Sequence, residues 1–107
     1  MNDPVFVEAA QSLARRIITA GGDTALERAR YGLRLCLLRE PTQSQISTLE
    51  RLYKTELAHY ELAADEALAA STEPLGPLPD GVIAAEAAAW TIIASALLNM
   101  DSFLVRS

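Results

Sequence analysis

The stretch Val82-Ile83-Ala84-Ala85-Glu86-Ala87-Ala88-Ala89-Trp90-Thr91-Ile92-Ile93-Ala94-Ser95-Ala96-Leu97-Leu98 decides the fold. Its alanines stand on nearly every side of a helix of 3.6 residues per turn, which is the pattern of a helix enclosed by neighbours rather than laid on a surface. Ile83, Ala87, Trp90, Ala94, Leu97 and Leu98 recur at helical spacing. Glu86, Thr91 and Ser95 interrupt the apolar run, so it is too short to span a bilayer and membrane insertion is not expected. Asp80 is placed to cap this helix. Asn99 and Asp101 weaken its end, where Phe103 and Leu104 are expected to fold a last turn onto the core.

Working outward, the rest of the chain has to supply the neighbours. Alanine (19) and leucine (16) make up about a third of the 107 residues, and half of all residues are apolar. Such a chain buries enough surface to offset its entropy and prefers helix to sheet. Asp3-Pro4 reads as an N-cap with proline at the first helical position, followed by Phe6, Ala10, Leu13 and Ile17 on one face and a stop at Gly21-Gly22. Thr24 to Glu27 is a capping box. It opens a second helix with Leu26, Ala29, Leu33, Cys36 and Leu37 inward, and Pro41 is expected to end it. Gly32 inside that helix costs about 1 kcal/mol against alanine, which either a close helix approach or plain tolerance would explain.

Thr42 to Gln45 is a second capping box. From it one long helix is expected to run to about Ser71, roughly 40 Å, with Ile46, Leu49, Tyr53, Leu57, Tyr60, Ala64 and Ala67 along its buried seam. Pro74, Gly76, Pro77, Pro79 and Gly81 make residues 72–81 a loop. The sequence therefore predicts a single all-α domain over residues 1–107. It is a compact bundle of about four helices with a long third helix and a proline-rich loop before the fourth. Its core is read as Phe6, Leu13, Ile17, Leu33, Leu37, Tyr53, Leu57, Trp90, Ala94, Leu97 and Phe103.

Charge and residue types narrow the function. Residues 1–40 carry six basic and five acidic groups and residues 41–107 three and nine, for a net charge of −5. An acidic surface without a basic stripe repels phosphate backbones, so nucleic acid is not an expected partner. Cys36, the only cysteine, stands among Leu35, Leu37 and Leu38 and reads as a small buried apolar residue. A nucleophile would need a base, and nothing in the sequence brings His59, the only histidine, to it. Glu56 and His59 form one helical pair, too few ligands for a stable metal site. Gly21-Gly22-Asp23-Thr24 is too short for a phosphate loop and lacks its lysine. Arg30 and Arg34 share a helix face with Glu27. They could receive a carboxylate ligand, but pairing with Glu27 or an acidic residue such as Asp101 is the simpler reading. No catalytic, cofactor-binding or metal-ligating residue is expected, and the chain is not read as an enzyme.

An ordered series of short motifs adds a family resemblance. Asn2-Asp3-Pro4, Phe6-Val7-Glu8-Ala9-Ala10, Leu13-Ala14-Arg15-Arg16, Gly21-Gly22-Asp23 and the run Glu27 to Leu37 come first. Arg39-Glu40-Pro41-Thr42, Ala88-Ala89-Trp90-Thr91 and Leu97 to Leu104 follow. Together they resemble the C-terminal end of the planctomycete-type (PSD-type) domain of unknown function, which closes large exported proteins that often carry a c-type cytochrome domain. The resemblance implies an exported, cell-envelope or periplasmic location and no assigned reaction. It implies a non-catalytic packing module whose partners are other domains of the same parent protein or another protein. The Met1-Asn2-Asp3-Pro4 start, which has no basic signal region, would then be internal to the parent. The alternative is a free-standing small helical adaptor or regulator, homodimeric through its long third helix. Three helices from so short a chain are expected to leave part of the apolar fourth helix uncovered, as a patch for a partner.

Overall fold

The computed structural model describes residues 3–105, with side chains through residue 100. Phe103 of the expected core and Asp101, one expected arginine partner, therefore fall outside the described side chains. Five helices form among the described residues: α1 Pro4–Ala20, α2 Ala25–Cys36, α3 Gln43–Glu61, α4 Ala64–Thr72 and α5 Ala84–Val105. There is no strand among the described residues.

The helix starts form as their side chains dictate. Asp3 accepts from the Val5 N–H at 2.8 Å, with Pro4 at the first helical position. Thr24 with Glu27, and Thr42 with Gln45, each close a reciprocal capping box. In each box two free backbone donors of the first turn are satisfied at once.

α5 is the hub. α1, α3 and α4 pack along it, and α2 bridges α1, α3 and α5. Every residue from Ala87 to Thr91 is buried in succession, followed by Ile93, Ala94 and Leu97. Five consecutive buried positions span more than a full turn, so this segment is covered all round by the chain's own helices. Over Ala87–Thr91 the expected uncovered patch is absent. Thr91 fits inside because its Oγ1 donates to the Ala87 carbonyl at 2.7 Å. Trp90 stacks on Tyr53 with ring centroids 4.2 Å apart, tying α5 to α3.

The long third helix is two helices. α3 stops at Glu61, and the Leu62 and Ala63 N–H groups reach back only three residues, to His59 and Tyr60. An unbroken helix over residues 43–72 would be about 45 Å long, beyond the 38 Å longest dimension of the molecule. Bending at Leu62 instead brings Ala67 and Ser71 of α4 onto α5 and buries both.

Other boundaries shift for local reasons. α2 ends at Cys36, where Leu37 turns to extended backbone, rather than at Pro41. α5 begins at Ala84, so Asp80 lies in the preceding turn and does not cap it; Ile83, ahead of the first turn, is 58 % exposed. α5 then continues through Asn99 and Asp101 to Val105 without turning back. Of the expected core, Ile17, Leu33, Tyr53, Trp90, Ala94 and Leu97 are buried. Leu13, Leu37 and Leu57 pack against the core half-buried, and Phe6 is also only half-buried. Leu26, expected inward, is exposed. Gly32 marks a close approach: a Cβ there would stand 2.9 Å from Leu97 Cδ1 and 3.0 Å from Ile17 Cδ1. The helix therefore carries glycine where α1 and α5 press on α2.

Candidate functional site

Two groups of polar side chains converge, one based on α1 and one on α2. On α1, Gln11 and Arg15 lie one turn apart on the same face. Gln11 is fully buried. Its Nε2 donates to the carbonyls of Ala70 (2.8 Å) and Glu73 (2.7 Å), and its Oε1 accepts from the Leu75 N–H at 3.2 Å. Arg15 Nη2 donates to the Ser71 carbonyl at 3.1 Å and to the Gly76 carbonyl. Ala70 and Ser71 are in the last turn of α4, whose carbonyls have no partner within the helix. A cation at that end also matches the negative pole of the helix dipole. The pair thus clamps the end of α4 and the start of the proline-rich loop to α1.

On α2, Arg30 and Arg34 converge on Glu40, not on Glu27. Arg30 donates to Glu40 Oε2 from Nε at 3.0 Å and from Nη2 at 2.6 Å, while Arg34 Nε lies 3.4 Å from Oε1. These hydrogen bonds and positive charges hold the Glu40 carboxyl below its usual range. Glu27 points the other way: its Oε1 accepts from the Asp23 N–H and, closing the capping box, from the Thr24 N–H, and these bonds lower its pKa. Beside this pair lies an open depression of about 440 Å³ lined by Gly21, Glu27, Arg30, Tyr31, Arg34 and Leu35. Arg16 Nε reaches the Tyr31 hydroxyl at 3.2 Å. The carboxylate a ligand would bring to Arg30 and Arg34 is thus already supplied by Glu40.

Cys36 is half-buried in the last turn of α2 and packs against the core rather than within it. His59 is exposed in the last turn of α3, edge-on to Tyr60 with centroids 4.9 Å apart. Cys36 precedes the connection into α3, and His59 lies at that helix's far end, so the fold does not bring thiol and imidazole together. Among the described residues no three His, Cys, Asp or Glu side chains gather as a metal site. Burial pushes the Tyr53 phenol up to about 12, with the Glu86 charge adding to it. Burial raises Tyr60 too, assisted by Glu56 and Glu66.

Sequence reading singled out Arg30 and Arg34 but missed Gln11 and the role of Arg15. A glutamine on the inward face between Ala10 and Ala14 was the available signal, since a buried amide requires partners. No family model, curated protein or solved structure matches this chain.

Proposed function

We propose that this chain is a non-catalytic helical packing module, the closing part of a larger exported cell-envelope protein, as its motif series implies. One observation carries the non-catalytic reading: the polar groups that converge are already committed to the fold. Gln11 and Arg15 bind backbone carbonyls, Glu27 caps α2, and Arg30 and Arg34 hold Glu40. What such a body offers its surroundings is surface. Exposed apolar side chains available for docking include Val5, Leu26, Leu35, Leu38, Leu62, Leu68 and Ile83.

A second reading, a free-standing adaptor, is favoured by the enclosure of Ala87–Thr91, which leaves that segment of the hub helix needing no outside neighbour. The natural reading frame separates the two. Coding sequence continuing upstream into an export signal and further domains, together with calorimetric binding of that upstream portion to this chain, supports the module. A frame that opens at Met1 supports the adaptor.

A further inference from the structure

Leu62 and Ala63 form the α3–α4 bend, and neither is a turn residue; both favour helix. Ala63 gives α4 no side-chain cap, so the N–H groups of Ala64, Asp65 and Glu66 have no acceptor within their helix. In an unbroken helix they would bond the carbonyls of Tyr60, Glu61 and Leu62. The buried seam runs through the bend in phase. Ile46, Tyr53, Tyr60 and Ala67 are buried at seven-residue intervals, and positions seven apart lie within about 20° of one another on a straight helix. Local sequence thus specifies one helix over residues 43–72. The bend goes with tertiary packing: α3 and α4 both lie along α5, in a molecule whose longest dimension, 38 Å, is too short for that helix unbroken.

We infer that two copies of this chain exchange their C-terminal halves about Leu62 and Ala63. Residues 43–72 of each copy then form a single helix, which carries α4, the proline-rich loop and α5 onto α1–α3 of the other copy. α4 and α5 stay together, while the contacts of α5 with α1, α2 and α3 are remade between chains. So are the Tyr53–Trp90 stack and the Gln11 bonds to Ala70 and Glu73. Exchange of an identical element needs no new complementary surface, which is why the partner is a second copy rather than another protein. The straightened helix adds the backbone hydrogen bonds missing at the bend, set against the freedom lost on pairing. The dimer therefore gains on the monomer with concentration. Interconversion is slow, because α5 has to leave the core. The exchange goes beyond both readings of the chain's role and depends on neither.

Refolding the whole chain from urea at millimolar concentration, with half of the copies isotopically labelled, tests it. The expected product is a dimer that survives dilution and size separation. It should show nuclear Overhauser contacts between Tyr53 of a labelled copy and Trp90 of an unlabelled one. Ala64→Pro discriminates between the two forms. Ala64 is exposed and stands at the first position of α4, where proline is accommodated; inside a continuous helix proline breaks it. This variant should melt like wild type as a monomer and lower the dimerisation constant at least about a hundredfold. Ala63→Ser, which supplies the missing cap, should lower it about tenfold. A refolded chain that stays monomeric overturns the inference. So does a dimer whose Tyr53–Trp90 contact lies within each chain, or one that Ala64→Pro and Ala63→Ser leave unchanged.

Discussion

Replacing Gln11 with leucine keeps the volume of a fully buried side chain and deletes all three of its hydrogen bonds. The carbonyls of Ala70 and Glu73 and the N–H of Leu75 lose their partner together. A buried backbone group left unmatched costs about 1–3 kcal/mol. Glu73 is exposed and Leu75 half-buried, so water repairs part of the damage and the lower figure applies to each. Three groups at about 1 kcal/mol, less about 1 kcal/mol returned by the more apolar side chain, leave a net loss of about 2 kcal/mol. Against the 5–15 kcal/mol typical of a domain this is a large fraction. It should lower the melting temperature by roughly 10 °C. Urea unfolding should show the midpoint falling with an unchanged slope, and the Leu75 amide should lose its protection from hydrogen exchange. A loss below about 0.5 kcal/mol, with the Leu75 amide still protected, would refute the clamp. Gln11→Glu sharpens the test. Its carboxylate would face two carbonyl oxygens, so the folded state should raise its pKa, and stability should be higher at pH 4 than at pH 7.

Three further changes probe other joints. Trp90→Ala removes the fully buried ring stacked on Tyr53 and should cost about 3–5 kcal/mol, read as a large drop in melting temperature. Thr42→Ala opens the α3 capping box and should cost about 1 kcal/mol in chemical denaturation. Tyr53, raised to about 12 in the folded state, favours folding in its neutral form. Its contribution is complete below the unfolded value near 10 and is lost as pH rises from there to about 12. Tyr53→Phe should therefore flatten the alkaline fall in stability, leaving the smaller part due to Tyr60.

The elements legible in the sequence were those with local chemistry. Asp3-Pro4, Thr24 with Glu27, and Thr42 with Gln45 signal helix starts through side chains that reach only two or three residues. The all-round alanine pattern marked the hub because enclosure imposes it on every face. The break at Leu62 was illegible for the converse reason. Ala63 makes no side-chain cap, and alanine-rich sequence on the far side favours continued helix; the bend goes with the packing of α4 on α5, a tertiary contact. Arg30 and Arg34 were recognised as an ion-pairing face, but their partner lies ten and six residues on, in a loop whose path local spacing does not set. Glu27 was the nearer candidate, and the capping box claimed it first. Gln11 was not singled out because nothing local signals its partners, which are about sixty residues away in the chain.

The polar groups that converge in this chain hold its framework together: Gln11 and Arg15 tie α1 to the end of α4, and Arg30 and Arg34 hold Glu40. Calorimetric titration of the chain with the portion encoded upstream of it, read together with backbone amide shifts, tests the proposed packing module most directly. The expected result is binding with shifts on exposed surface, and the Gln11 clamp and the depression beside Tyr31 unchanged. No binding, or shifts centred on the Arg30–Tyr31 depression, would contradict it.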